Sequence, residues 1–204
     1  MKRKIKYTII LFILLILFIL TTLNSYATSI SQNLSNNFFR LHILANSDSN
    51  FDQSLKLKVR DNIIKYMEMQ NFYNASKEEV INSVQENLEK YQEIAEETIK
   101  DTGYNYPVSV EIGNFYFPTK KYGNLSLPCG YYDALRIKIG NAEGQNWWCS
   151  LFPPLCFVDI SSGVLDENAE KKLKENLSDE EFAIITNNDK KIKLKFKIIE
   201  LFSN

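Results

Sequence analysis

From Phe38 to Leu44 the apolar residues Phe39, Leu41 and Ile43 alternate with Arg40 and His42, the period of two expected of a strand with one buried face. The strand ends at Ala45-Asn46-Ser47-Asp48, and there the period changes. Leu55, Val59, Ile63 and Tyr66 recur at spacings of four, four and three, which predicts a helix opening at Asn50, with Gln53 as its capping partner, and fading near Asn71. Ser76-Lys77-Glu78-Glu79 is a better capping box. It leads into Val80, Val84, Leu88, Tyr91, Ala95 and Ile99 on one face, a helix expected to be the longest element, which Gly103 stops. Its outward face, with Glu86, Glu89, Glu93, Glu96 and Glu97, reads as a solvated one.

Beyond Gly103 the period of two returns. Val108, Val110 and Ile112 alternate with Ser109 and Glu111, and Leu135, Ile137 and Ile139 with Arg136 and Lys138, so both segments are strands. Between them, Tyr116 to Pro128 combines turn residues with aromatics that should fold against the sheet. A helical pattern covers Glu167 to Leu177, and a last strand is expected over Ile192 to Ile198. No internal repeat or second domain is visible. The order predicts a single α+β domain, with helices packed on one face of a mostly antiparallel sheet.

The N-terminus sets the compartment. Lys2, Arg3, Lys4 and Lys6 precede the apolar run Ile9 to Leu20, and Ser25 and Ala27 are the small residues of a signal peptidase site. A cut after Ala27 makes residues 1–27 a signal peptide, 28–37 a flexible polar lead and 38–204 the domain. The alternative is an uncleaved anchor; the run is twelve strictly apolar residues, against about 20 for a spanning helix. Removing 27 residues changes the formal net charge from −1 to −5, which makes nucleic acid a poor partner. The 177 residues left are enough to bury a core without disulfides.

Chemistry is limited by a single histidine. Cys129, Cys149, Cys156 and His42 could just furnish a zinc site, but no C-x2-C or H-x3-H pair exists, so no metal is expected. A secreted cysteine hydrolase would have to use Cys149 as nucleophile and His42 as base, in a setting without the usual glycines. The segment Gln145 to Phe157, QNWWCSLFPPLCF, instead allows a disulfide between Cys149 and Cys156 around Pro153-Pro154, with two buried free thiols as the alternative. If the segment is a strand, Trp147 and Trp148 point to opposite faces, so one can be buried while the other faces outward.

Four long motifs occur in order: Arg40-Leu41-His42-Ile43-Leu44-Ala45-Asn46-Ser47-Asp48-Ser49, Leu55-Lys56-Leu57-Lys58-Val59-Arg60-Asp61, Gly113-Asn114-Phe115-Tyr116-Phe117-Pro118-Thr119-Lys120, and Gly144-Gln145-Asn146-Trp147-Trp148-Cys149 through Pro153-Pro154-Leu155-Cys156-Phe157-Val158-Asp159. Together they resemble the stage II sporulation protein R family. The resemblance implies a non-enzymatic signal, without cofactor, exported from the forespore into the space between forespore and mother cell. There it would activate a membrane-embedded aspartic protease that processes the sigma-E precursor. One departure is Leu127-Pro128-Cys129-Gly130-Tyr131-Tyr132, which makes Cys129 incidental. The resemblance supplies no catalytic residues. The expected partner surface combines the polar side of the first strand and its loop (Arg40, His42, Asn46, Asp48) with Trp147 or Trp148.

Overall fold

The computed structural model describes residues 2–72, 75–156 and 167–186. The expected strand at Ile192 to Ile198 lies outside them. Helix α1, Lys2–Asn36, leads to strand β1, Phe39–Leu44; then come helices α2, Asn50–Met69, α3, Lys77–Glu86, and α4, Leu88–Asp101. Strand β2, Val108–Phe117, is joined by the hairpin β3, Lys120–Tyr122, and β4, Leu125–Leu127, to β5, Gly130–Ile139. Strand β6, Asn146–Phe152, and helices α5, Glu167–Asn176, and α6, Asp179–Thr186, follow.

The main sheet has the order β2-β5-β1-β6. β1 runs parallel to β5 and antiparallel to β6, and β2 pairs antiparallel with β5, so the sheet is mixed and mostly antiparallel. Its register puts Leu41, Leu135, Cys149 and Ile112 in one row, and Ile43, Ile137, Trp147 and Val110 in the next. This is the helix side, where the buried stripe Leu55, Val59, Ile63 and Met67 of α2 and Tyr91, Ala95 and Ile99 of α4 complete the core. Local signals set these helices. Ser49, one residue before the expected Asn50, caps α2 by accepting from the Asp52 N–H, and Ser76 with Glu79 forms the full capping box of α3. At the end of α4, the Tyr104 N–H donates to the Ile99 carbonyl and the Gly103 N–H to that of Lys100, with Gly103 at φ 83°, a Schellman stop.

Three expectations are corrected here. The single long helix after Ser76 is two, divided at Asn87, whose backbone leaves the helical range at φ −106° and ψ 19° while its side chain donates to the Ser83 carbonyl. The longest element is instead α1, with 35 residues. The polar stretch 28–37 is not a flexible lead: α1 continues to Asn36, Leu34 is fully buried, and the Ser31 hydroxyl donates to the Cys129 carbonyl. Ile30 and Leu34 sit four residues apart on one helix face, enough to dock its last turns against the start of β5. α1 is long and apolar enough, by length and composition, to cross a membrane.

Candidate functional site

β1 occupies the middle of the sheet, and its polar positions do not face water. Arg40 is fully buried and His42 nearly so, at 6 % exposure, because the β3–β4 hairpin and the aromatic ends of β2 and β5 cover the face opposite the helices. The surface role expected for Arg40 and His42 is therefore corrected. A period of two marks two different faces; at Arg40 and His42 both are covered, while farther along the same face Trp148, Arg136, Lys138 and Glu111 remain partly exposed.

Arg40 lies in an aromatic cage. Its guanidinium carbon is 4.1 Å from the Phe117 ring centroid and 4.8 Å from that of Tyr132. Its Nη2 donates to the Tyr122 hydroxyl at 2.5 Å and its Nε to the Cys149 carbonyl at 3.4 Å, while Tyr122 in turn donates to the Trp148 carbonyl. Burial pushes the Tyr122 phenol upward, and the neighbouring guanidinium pulls it partly back. Among the described residues no carboxylate pairs with Arg40, and Nη1 has no hydrogen-bond partner. Rings and two acceptors offset the burial of its charge, and the result is a clamp that ties β1 to the tryptophan segment of β6.

One step along the same face, the His42 imidazole stacks on the Trp148 indole. Burial pushes His42 down to about 4, helped by the positive charges of Arg136, Arg40 and Lys138 and opposed by the nearby Asn146 side chain. Next to it, Glu111 accepts from Arg136 and Lys138 through the same Oε1, at 2.8 Å in each case. The bond from Lys138, followed by those from Arg136, holds the Glu111 carboxyl below its usual range.

Trp147 and Trp148 do point to opposite faces, as the strand register requires. Trp147 lies on the helix side, 4.2 Å from the Arg60 guanidinium carbon, and both indoles are half-buried. Cys149 and Cys156 are joined in a disulfide with Cα atoms 5.3 Å apart, and Cys129 is a buried free thiol. The hydrolase pairing is thereby undone: Cys149 shares the Leu41 row while His42 shares the Trp148 row on the other face, and the sulfur is already bonded. Among the described residues no group of three or more His, Cys, Asp or Glu could hold a metal.

Asn46 and Asp48 serve the loop that follows β1. Asn46 donates to Asp52 Oδ2 and accepts from the Asn141 N–H, and Asp48 accepts from the Gln145 N–H at 2.6 Å. Burial alone would raise the Asp52 carboxyl, but bonds from Ser47 and Asn46 outweigh it and the net shift is downward. Gly144 closes the lock, since a Cβ there would overlap the Ser47 carbonyl. Sequence reading missed the cage rings Phe117, Tyr122 and Tyr132. Their one signal was the unusual density of aromatics between Tyr116 and Tyr132.

These features define a class: a disulfide-tied α+β domain attached to an N-terminal apolar helix, with a packed aromatic and basic sheet face. Residues 35–162 match the family described as stage II sporulation protein R, and the chain belongs to that family. It is 43% identical over 143 residues to the stage II sporulation protein R of Bacillus subtilis (strain 168), a match that covers 68% of this chain and 64% of that relative, just under two thirds of its length. No solved structure matches the chain.

Proposed function

We propose that the chain is an exported, non-enzymatic signal of sporulation. It passes from the forespore into the space between forespore and mother cell, where signal peptidase releases it, and it activates the membrane-embedded aspartic protease that processes the sigma-E precursor. The observation that carries this reading is an export-type apolar helix joined directly to a disulfide-tied domain of the sporulation protein R family. An oxidising exterior suits the Cys149–Cys156 bond. Activation by binding requires tighter association with the active state of the protease than with its resting state, because equal affinity shifts no equilibrium.

The test is co-expression of the full chain with the protease and the sigma precursor in a host that does not sporulate. The chain is sent to either side of the membrane by keeping or disabling its export segment. Processing that occurs only with export supports signalling across the membrane; processing independent of the chain, or equal from both sides, refutes it.

A further inference from the structure

Exposed carboxylates outnumber exposed cations on the helix layer, and the balance reverses on the opposite sheet face. Glu86, Glu89, Glu93, Glu96 and Glu97 are all exposed on the helix layer, whereas the opposite sheet face gathers Arg40, Lys120, Arg136 and Lys138 around His42, with Glu111 as their carboxylate. The cations are felt there: Arg136, Arg40 and Lys138 all act against a proton on His42, and Lys120 is depressed first by burial and then by Arg40. The Arg136 guanidinium is also fixed in direction, 3.7 Å from the Phe115 ring centroid and hydrogen-bonded through Nε and Nη2 to Glu111.

We propose that this sheet face, centred on Trp148 and flanked by Lys120, Arg136 and Lys138, docks an acidic peptide segment of the protein the chain activates. The inference rests on the signalling reading and names the chemistry of its contact. Glu111 already shows how a carboxylate is received, with three donors converging on one oxygen. Incoming carboxylates extend that pattern along Lys138 and Lys120, while an apolar side chain rests against the half-buried indole. A peptide fits better than a membrane surface because the Arg136 guanidinium is held in one orientation by the Phe115 ring and Glu111, the arrangement of directional carboxylate recognition, whereas lipid attraction needs only unpaired charge near the surface. Trp147, on the helix side, is left out of this contact.

The chain contains two tryptophans, so Trp147→Phe makes Trp148 the sole reporter. The full chain carrying that change, held in zwitterionic bicelles, is titrated with a short peptide alternating Glu and Leu, with its Gln and Leu counterpart, and with phosphatidylglycerol vesicles. The expected result is a saturable change of Trp148 emission with the Glu peptide alone, weakened by salt and weakened about tenfold or more by Arg136→Glu with Lys138→Glu. Lys120→Gln, a neutral change at a partly exposed site, should give a smaller loss with an unaltered circular dichroism spectrum, which guards against misfolding of the double reversal. The proposal is overturned if the Glu peptide gives no response, if the Gln peptide binds equally well, or if only the vesicles bind, which would make the face a membrane contact. No protease is present in this titration, so peptide binding here combined with no processing in the co-expression test would defeat the signalling reading and leave the binding surface standing.

Discussion

The imidazole of His42 lies flat on the indole of Trp148, with ring centroids 3.7 Å apart and planes inclined by 14°. The stack joins β1 to β6 on the face opposite the helices, and its histidine is the only one in the chain.

That relationship gives the fold a pH dependence whose first step, on acidification from neutral pH, belongs to His42. An unfolded histidine takes up a proton near its ordinary value of 6.5, whereas folded His42 resists until about 4. The unfolded state therefore binds more protons between these values, and stability falls as pH drops from 6.5 to 4, by roughly 2–3 kcal/mol. Asp52, Glu111 and Asp133 are held below their ordinary values, so their losses set in as pH falls through the ordinary carboxyl range and overlap only the acid end of the His42 window. Urea unfolding at a series of pH values should show the first decline, and His42→Gln should flatten it. An unchanged slope in that variant would mean that His42 is not the group responsible.

Arg40→Ala should destabilise the chain by about 3 kcal/mol, through lost ring contacts and a Tyr122 hydroxyl that loses its donor. Arg40→Met should cost less, because it refills the cage and removes a buried charge. Thermal unfolding of both variants checks the order; equal losses would contradict a packing role for the guanidinium.

Cys149→Ser and Cys156→Ser should behave alike, each losing under about 3 kcal/mol because the bond closes a short loop. Reductant should reproduce the loss in the unmodified chain and add nothing in either variant. A selective loss of signalling in Cys149→Ser, with stability matched to Cys156→Ser, would revive a catalytic thiol.

Leu34→Ala should cost about 2–5 kcal/mol, the range for a fully buried leucine. The position follows the expected signal peptidase site, so the test asks whether the turns after Ala27 belong to the folded domain. Denaturant unfolding with no measurable change would return residues 28–36 to the status of a tether.

Gly144→Ala should destabilise by about 1–3 kcal/mol, since the new methyl meets the Ser47 backbone carbonyl and neither chain segment can yield without losing the Asn46 and Asp48 bonds. Hydrogen exchange should quicken first at the N–H groups of Asn141 and Gln145 that these two residues hold.

Local physics was legible along the chain. Capping residues, the glycine at Gly103 and the two apolar periods set α2, the start of α3, the end of α4, and the β2 and β5 strands, because each depends on neighbours a few residues away. The opposite orientations of Trp147 and Trp148 followed from the same geometry. Periodicity could say that Arg40 and His42 lie on one face of β1, but not what covers that face. The answer depended on β1 entering between β5 and β6, and on a hairpin more than 70 residues later folding over Arg40. The docking of Leu34 and Ser31 was likewise decided by contacts with residues nearly a hundred positions away. The segment QNWWCSLFPPLCF carried its composition openly, but only the tertiary structure placed one tryptophan under a helix and the other on the basic sheet face, because a strand assigns its faces only when its neighbours are in place.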